Sequence, residues 1–365
     1  MILAALPGLG PVNIRRLDAA MAGGVERLLG MDSVERSFWC GPRVVSELAE
    51  WKRYFDPEKV FAALGRMEAD YLTYEEEGYP DRLRHFGDRP VGLYRCRAGK
   101  EVGERSLAVV GTRRPSGYGR KVARAFAEFL GRSGYTIVSG LAEGIDTEAH
   151  RAALQAGAPT AAVLGGGLNC CYPASNRGLL EEVKESGGVW TEFPLWRRAD
   201  RRSFPQRNRI VAGMSEAVLV VESGMAGGSL ITARMAAEQG KPVYVVPGRI
   251  DAAESAGCHA LIRDGAQLVT SPEEILEDLN YLPGMLRPGN GSAAASFPSR
   301  KEGPEPELHG LPARVWSFLG EKGHAHMDAM AAGLGVPVAE LSGAALEMEV
   351  QGLICRRLDG CYERG

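Results

Sequence analysis

Between residues 106 and 280, short apolar runs alternate with helical patterns, and this alternation restricts the possible folds more than any other feature of the chain. The runs fall at 107–110, 136–139, 160–164, 189–192, 217–222, 243–246 and 267–269. Several are continuous rather than alternating, as expected for strands covered on both faces. The segments between them read as helices. After Gly119, for example, Val122, Phe126, Phe129 and Leu130 fall on one helical face. Strand, helix, strand in repetition predicts an α/β fold with a parallel, doubly wound sheet. Ligands of such sheets sit beyond the carboxyl ends of the strands, where the strand order reverses.

The flanking regions differ in pattern. Residues 1–75 predict a helical domain. Its opening, LPGLGPVNIRRLDAAM, has a Pro-Gly-x-Gly turn before apolar positions Val12, Ile14 and Leu17. Two readings stay open there: a helix-hairpin-helix whose loop amides hold a DNA backbone, or a small bundle used for packing or protein contact. Residues 76–282 hold the sheet, and 283–306, rich in Pro, Gly, Ser and Ala, predict a flexible linker. Residues 307–365 predict three helices and a hairpin turning at Asp359-Gly360, the order of a winged helix.

Composition excludes several classes. A length of 365 residues suggests two or three domains. No run of about 18 apolar residues predicts a membrane span. The apolar N-terminus lacks a basic leader and reads as folded protein. The seven cysteines form no C-x-x-C pair and read as scattered thiols of a reducing, cytoplasmic protein. Metal at Cys170-Cys171 is disfavoured, and no metal or cofactor is expected. Net charge is −3, so no global basic field announces a polyanion. Charge is local instead: LWRRADRRSFPQRNRI, residues 195–210, carries six Arg and one Asp.

The strand ends carry the candidate site. VVGTRRPSGYGR, residues 109–120, has the layout of a phosphate-cradling strand, loop and helix, with neither a P-loop lysine nor a dinucleotide glycine spacing. Loops at Gly111-Thr112-Arg113, at Ser139-Gly140-Leu141-Ala142, at Gly165-Gly166-Gly167, from Phe204 through Arg209, and from Ala226 through Thr232 all fall on one sheet edge. Four contain glycine, which lets a ligand approach backbone amides. In SFPQRNRIVAG, Phe204 offers a stacking face, Arg207 and Arg209 charge, and Asn208 a hydrogen-bonding amide. An aromatic among arginines suits single-stranded nucleic acid. Asp146 and His150 stand at i, i+4, but no partner set makes a metal site. Asp146 is expected to cap its helix, and His150 to pack or bond to a loop. No hydrolytic spacing of Ser, His and Asp appears, so a binder is expected rather than an enzyme.

AVVGTRRPSGYG, IVSGLAEGIDTEAHRAAL, AAVLGGGLNCCYP, FPQRNRIVAGMSEAVLVVES, GGSLITARMAAEQGKPVYVVPG and GCHALIRDGAQLV together resemble the DNA-processing protein A (DprA) family, in order and spacing, over residues 75–280. The resemblance implies an extended Rossmann-like core without nucleotide cofactor, an N-terminal helical domain of helix-hairpin-helix or SAM-like type and a C-terminal winged helix. It implies a mediator that binds and protects single-stranded DNA during natural transformation and helps load RecA. It acts as a homodimer, with RecA and single-stranded-DNA-binding protein as expected partners. Gly111, Thr112 and Arg113 would form a phosphate pocket, joined by Ser139, Gly140 and Gly166 at the neighbouring strand ends. Phe204, Arg207, Asn208 and Arg209 occupy the FPxRNR motif, and Arg197 and Arg201 stand where DNA-contacting cations belong. Two positions depart from the family: Glu143 replaces a usual Arg, and Gly257-Cys258-His259 replaces Gly-x-Asn. The alternative is a nucleotide-processing enzyme of the phosphoribohydrolase-like Rossmann superfamily, but AGGSLITA lacks that superfamily's Pro-Gly-Gly-x-Gly-Thr loop.

Overall fold

The computed structural model describes residues 1–281 except 7, 22, 23, 97–101 and 104, and residues 308–364 except 323, 352 and 357–360. The expected linker, 283–306, and the Asp359-Gly360 turn lie outside the described residues. The chain divides into two compact units, residues 1–286 and 287–365.

All the runs expected as strands in the first unit are strands. In chain order they are β1 (Ala69–Thr73), β2 (Gly92–Cys96), β3 (Ser106–Gly111), β4 (Thr136–Ser139), β5 (Thr160–Val163), β6 (Val189–Thr191), β7 (Ala217–Val221), β8 (Val243–Val245) and β9 (Gln267–Leu268). They form one sheet in the order β1-β2-β6-β5-β4-β3-β7-β8-β9. From β6 to β9 the pairing is parallel throughout. The continuous apolar runs follow from burial on both faces. In β3, Leu107 and Val109 join the core on one side while Ala108 and Val110 join the core on the other. The chain winds outward from β3 to β6, then returns to the far side of β3 as β7, which places the switch in strand order between β3 and β7.

The sheet extends one expectation and corrects another. It is mixed, because β1 pairs antiparallel with β2, and β2 antiparallel with β6. Only the short helix Asp81–Arg84 lies between β1 and β2, so the chain can return antiparallel there. Their sequences, ADYLT and GLYRC, are too polar to read as buried strand; Arg95 is tolerated inside because it pairs with Asp70 at 2.7 Å. The stretch expected to be helical, 1–75, therefore ends in strand β1. Ahead of it, the helices Ile2–Ala5, Pro11–Ala20 and Pro42–Ala49 gather around Leu28 and Leu48. The helix Pro57–Arg66 puts Val60, Ala63 and Leu64 into a core shared with Tyr94 and Leu164 of the sheet region.

The helix after the first glycine loop runs Gly117–Arg132 and buries Ala123, Phe126, Ala127 and Leu130. Its inward face includes two alanines that the sequence pattern had passed over. Small side chains let it lie close to the helix Ile145–Gln155, which buries Ala149, Ala152 and Ala153.

In the second unit, the helices Leu311–Lys322, Met327–Leu334 and Val338–Val350 combine with β10 (His324–His326), β11 (Ile354–Arg356) and β12 (Cys361–Arg364). The strands form a sheet in the order β10-β12-β11. This is the expected winged helix, packed around Val315, Leu319, Met330 and Leu341. Among the described residues no single helix is long and apolar enough to cross a membrane.

Candidate nucleic-acid interface

A cleft of about 430 Å³ opens at the switch between β3 and β7. It brings together most of the residues expected there. Gly111, Thr112 and Arg113 enter from the end of β3, and Gly140 from the end of β4. Arg201, Phe204, Arg207 and Asn208 come from the facing segment. Gly227, Gly228 and Ser229 form the remaining edge.

The segment holding Phe204 through Arg209 is not a loop, as expected, but the first half of the helix Ser203–Met214. The Asp200 carboxylate starts it, accepting from the amides of Arg202 at 2.7 Å and Ser203 at 2.8 Å. Pro205 fits the first turn, where an amide would have no helical partner. At the other end, the Lys241 ammonium donates to the carbonyls of Ala212, Gly213 and Ser215 at 2.6–2.7 Å.

Burial divides the arginines of this stretch into two kinds. Arg207 is buried. It donates to the carbonyls of Val163 at 2.7 Å and Gly140, and its Nε to Asn208 Oδ1 at 3.0 Å. It thereby ties the ends of β4 and β5 to the helix. Asp146 faces it, and burial pushes the Arg207 guanidinium down against that attraction. Arg209 is also buried, donating to the Asp88 carbonyl at 2.6 Å and to Glu192. It lies on the other side of the helix, away from the cleft. Asn208 donates to the Gly228 carbonyl at 3.2 Å. The RNR part of the motif is a clamp. The exposed arginines that line the cleft are Arg113 and Arg201, neither of which makes a side-chain hydrogen bond or ion pair among the described residues.

Phe204 is half-buried and sits at the centre of the exposed groups. The Arg113 guanidinium lies 4.9 Å above its ring, and the Tyr172 ring lies 5.7 Å away at a tilt of 45°. Gly165 makes room for it, since a Cβ there would meet the Phe204 ring at 2.9 Å. Tyr172 is exposed and had no place in the expected site. Its signal, an aromatic just before Pro173, is too common to single it out.

The first glycine loop is not an open phosphate cradle. The Glu222 carboxylate, from the residue after β7, accepts from the Ser116 amide at 2.8 Å and from the Ser116 hydroxyl. It stands at the N-terminus of Gly117–Arg132, where a nucleotide phosphate would lie. Gly119 is glycine because a Cβ would run into that carboxylate. The helix end that does open onto the cleft belongs to Gly228–Glu238, whose N-cap, Gly227, offers no side chain. The Leu230 amide of its first turn donates back to the Gly227 carbonyl at 3.1 Å, and no side chain caps the turn.

Besides Arg209, three expected residues lie elsewhere. Ser139 is buried and donates to the Val109 carbonyl at 2.7 Å. Gly166 is covered by Arg197 and Ala199 backbone at 2.9 and 3.0 Å from where its Cβ would be. Arg197 stacks 4.4 Å over Phe193, pairs with Asp200 at 3.5 Å and faces a different cavity. Asp146 does not cap its own helix, Ile145–Gln155, whose N-cap is Gly144; it accepts from the Gly140 and Ala142 amides at 3.1 and 3.3 Å and so shapes the β4 loop. His150 bonds Thr160 Oγ1 of β5 at 2.7 Å. The departing Glu143 is exposed and meets the Ser175 hydroxyl at 3.2 Å. His259 meets the Gly248 carbonyl at 2.9 Å.

The fold and site together define a Rossmann-like α/β binding protein whose usual cofactor-phosphate position is filled by its own carboxylate, with a winged helix attached. Residues 70–280 match the family described as DNA recombination-mediator protein A, and residues 299–360 match the DprA winged helix domain. The chain belongs to the DNA recombination-mediator protein A family. It is 39% identical to protein Smf of Escherichia coli over 303 residues, covering 80% of this chain and 76% of that protein. It is 37% identical over 256 residues to the DNA processing protein DprA of Streptococcus pneumoniae, covering 70% of this chain and 88% of that one. The crystal structure of DprA from S. pneumoniae superposes with a TM-score of 0.58 at 32% identity, covering 73% of this chain and 97% of the other. DprA from Helicobacter pylori, described for its single-stranded DNA binding mode, superposes at 0.52 with 30% identity, covering 57% and 95%.

Proposed function

We propose that this chain binds single-stranded DNA in the cleft at the β3–β7 switch and serves as a recombination mediator of natural transformation. One observation carries the reading: the unpaired Arg113 guanidinium lies 4.9 Å over the half-buried Phe204 ring, beside a helix N-terminus that no side chain caps. A strand needs that combination, a π-face for a base and positive groups for the adjoining phosphate. Arg201 extends the positive rim, and Tyr172 widens the aromatic one. Arg207, Asn208 and Arg209 hold the walls in place rather than meet phosphate themselves. The Asn208 amide and the Ser229 hydroxyl in the cleft lining are already engaged with Gly228 and Ser223, so sequence preference is weak.

The reading includes binding without catalysis. Asp146 and Arg207, the paired titratable groups of the cleft, are buried and engaged in hydrogen bonds that shape its walls. It also includes action in the cytoplasm as a homodimer, in concert with RecA and single-stranded-DNA-binding protein, as the family's role in handing strands to recombination requires. Titration of Arg113→Ala with oligo-dT tests the site. Loss of about 1.5–3 kcal/mol of binding with an unchanged melting temperature supports it. Unchanged affinity removes Arg113 from the interface.

A further inference from the structure

The helix Ser203–Met214 has a cavity on each side. Phe204, Asn208 and Val211 face the strand-end cleft. Arg202, Gln206 and Arg209, at i, i+4 and i+7, face a second cavity of about 680 Å³. Its opposite wall is the N-terminal glycine hairpin, with Gly8, Gly10 and Pro11. Arg201 and Arg202 are neighbours at the head of the helix, one on each cavity.

We propose that the second cavity is a second backbone-phosphate station for the same DNA strand, which crosses the head of Ser203–Met214 after leaving Phe204. The proposal rests on the single-strand reading above and extends it to the N-terminal hairpin. Arg202 is exposed and makes no side-chain hydrogen bond or ion pair among the described residues. Gln206, also exposed, adds an amide on the same wall. Arg209 and Arg197 stand behind them, the first held by Glu192 and the second stacked on Phe193. Glu192 is the one carboxylate in the lining; it is paired to Arg209, and burial pushes its carboxyl up. The wall is therefore net positive, and a volume of several hundred cubic ångströms suits a length of chain better than a single small anion. From the other side, Gly10 begins the helix Pro11–Ala20 without a side-chain cap. The backbone amides of that first turn supplement the arginine wall.

Chain length separates this station from the first. The full-length protein is titrated with oligo-dT of about 6 and about 16 nucleotides, lengths within the span of single-strand binding sites. Two variants are compared with it, Arg202→Glu and Gly10→Glu. A Cβ at Gly10 meets nothing within 4 Å, so the second variant adds charge without a clash, on an element remote in sequence from Arg202. The long oligonucleotide should bind the parent more tightly than the short one. Each variant should weaken the long one about ten-fold, the loss of roughly one charge-assisted contact, and leave the short one unchanged. Equal weakening of both lengths, or no weakening of either, overturns the proposal while leaving the Phe204 cleft standing. A parent protein that binds neither length overturns the single-strand reading and this one with it.

Discussion

The Glu222 carboxylate accepts a hydrogen bond from the Ser116 backbone amide at 2.8 Å, and so places a fixed negative charge at the N-terminus of the helix Gly117–Arg132. In a nucleotide-binding relative of this architecture a phosphate would lie there. The chain supplies the anion itself, at the end of the strand adjoining β3. The strand–loop–helix layout of residues 109–120 thus keeps its geometry and gives up its ligand, while Arg113, on the outer part of the loop, stays exposed.

If Glu222 stands in for a phosphate, Glu222→Ala leaves a helix end without its anion. The variant should melt lower than the parent, by roughly 1 kcal/mol or more for a lost cap. Inorganic phosphate should recover part of that loss in the variant and have a smaller effect on the parent. Equal phosphate responses in thermal melts would show that the helix end is not an anion site.

Arg207→Ala should act on folding. Its guanidinium holds the Val163 and Gly140 carbonyls and faces the buried Asp146. Removing one partner of a buried charged pair costs about 3–5 kcal/mol. Denaturant unfolding reads this directly. A variant as stable as the parent but defective in DNA binding would return Arg207 to the interface.

How far the site could be read from sequence turns on this arginine. Residue type singled out Phe204, Arg207, Asn208 and Arg209, but composition could not say that Arg209 turns away from the cleft while the other three line it. Side-chain direction depends on the helix Ser203–Met214, and the glycine-free stretch SFPQRNR had read as loop because prolines and arginines mask helical periodicity. The parallel strands were legible because burial on both faces leaves continuous apolar runs. β1 and β2 were not, since Asp70 and Arg95 satisfy each other only after pairing. Glu222 as an internal anion could not be foreseen, because the contact joins residues 106 positions apart.

Phe204→Ala should weaken oligo-dT binding by about 1–3 kcal/mol and leave the salt dependence nearly unchanged, since a ring contributes stacking and no counterion release. Phe204→Tyr should retain most of the affinity and Phe204→Leu should not. Tyr172→Ala, removing the neighbouring ring, should give a smaller loss in the same direction. Isothermal titration at several salt concentrations distinguishes these cases. A Phe204→Ala protein that unfolds easily yet binds normally when folded would make the ring a core residue.

His150 gives the fold an acid limit. Burial pushes its imidazole down to about 3, so the folded chain holds it neutral. An unfolded histidine titrates near about 6.5, so between these values the unfolded state binds the additional proton. The stabilisation is complete above about 6.5 and is lost progressively as pH falls toward about 3. His150→Gln removes this proton uptake, so its stability should decline less steeply than the parent's across that window. Parallel stability curves in acid-unfolding experiments would remove His150 from this role.

The most direct test of the account compares oligo-dT with duplex DNA of equal length, by fluorescence anisotropy across a salt series on the full chain. The cleft at the β3–β7 switch predicts tighter binding of the single strand, with the logarithm of affinity falling linearly as the logarithm of salt rises. Duplex bound as tightly as single strand, or single-strand affinity indifferent to salt, would contradict it.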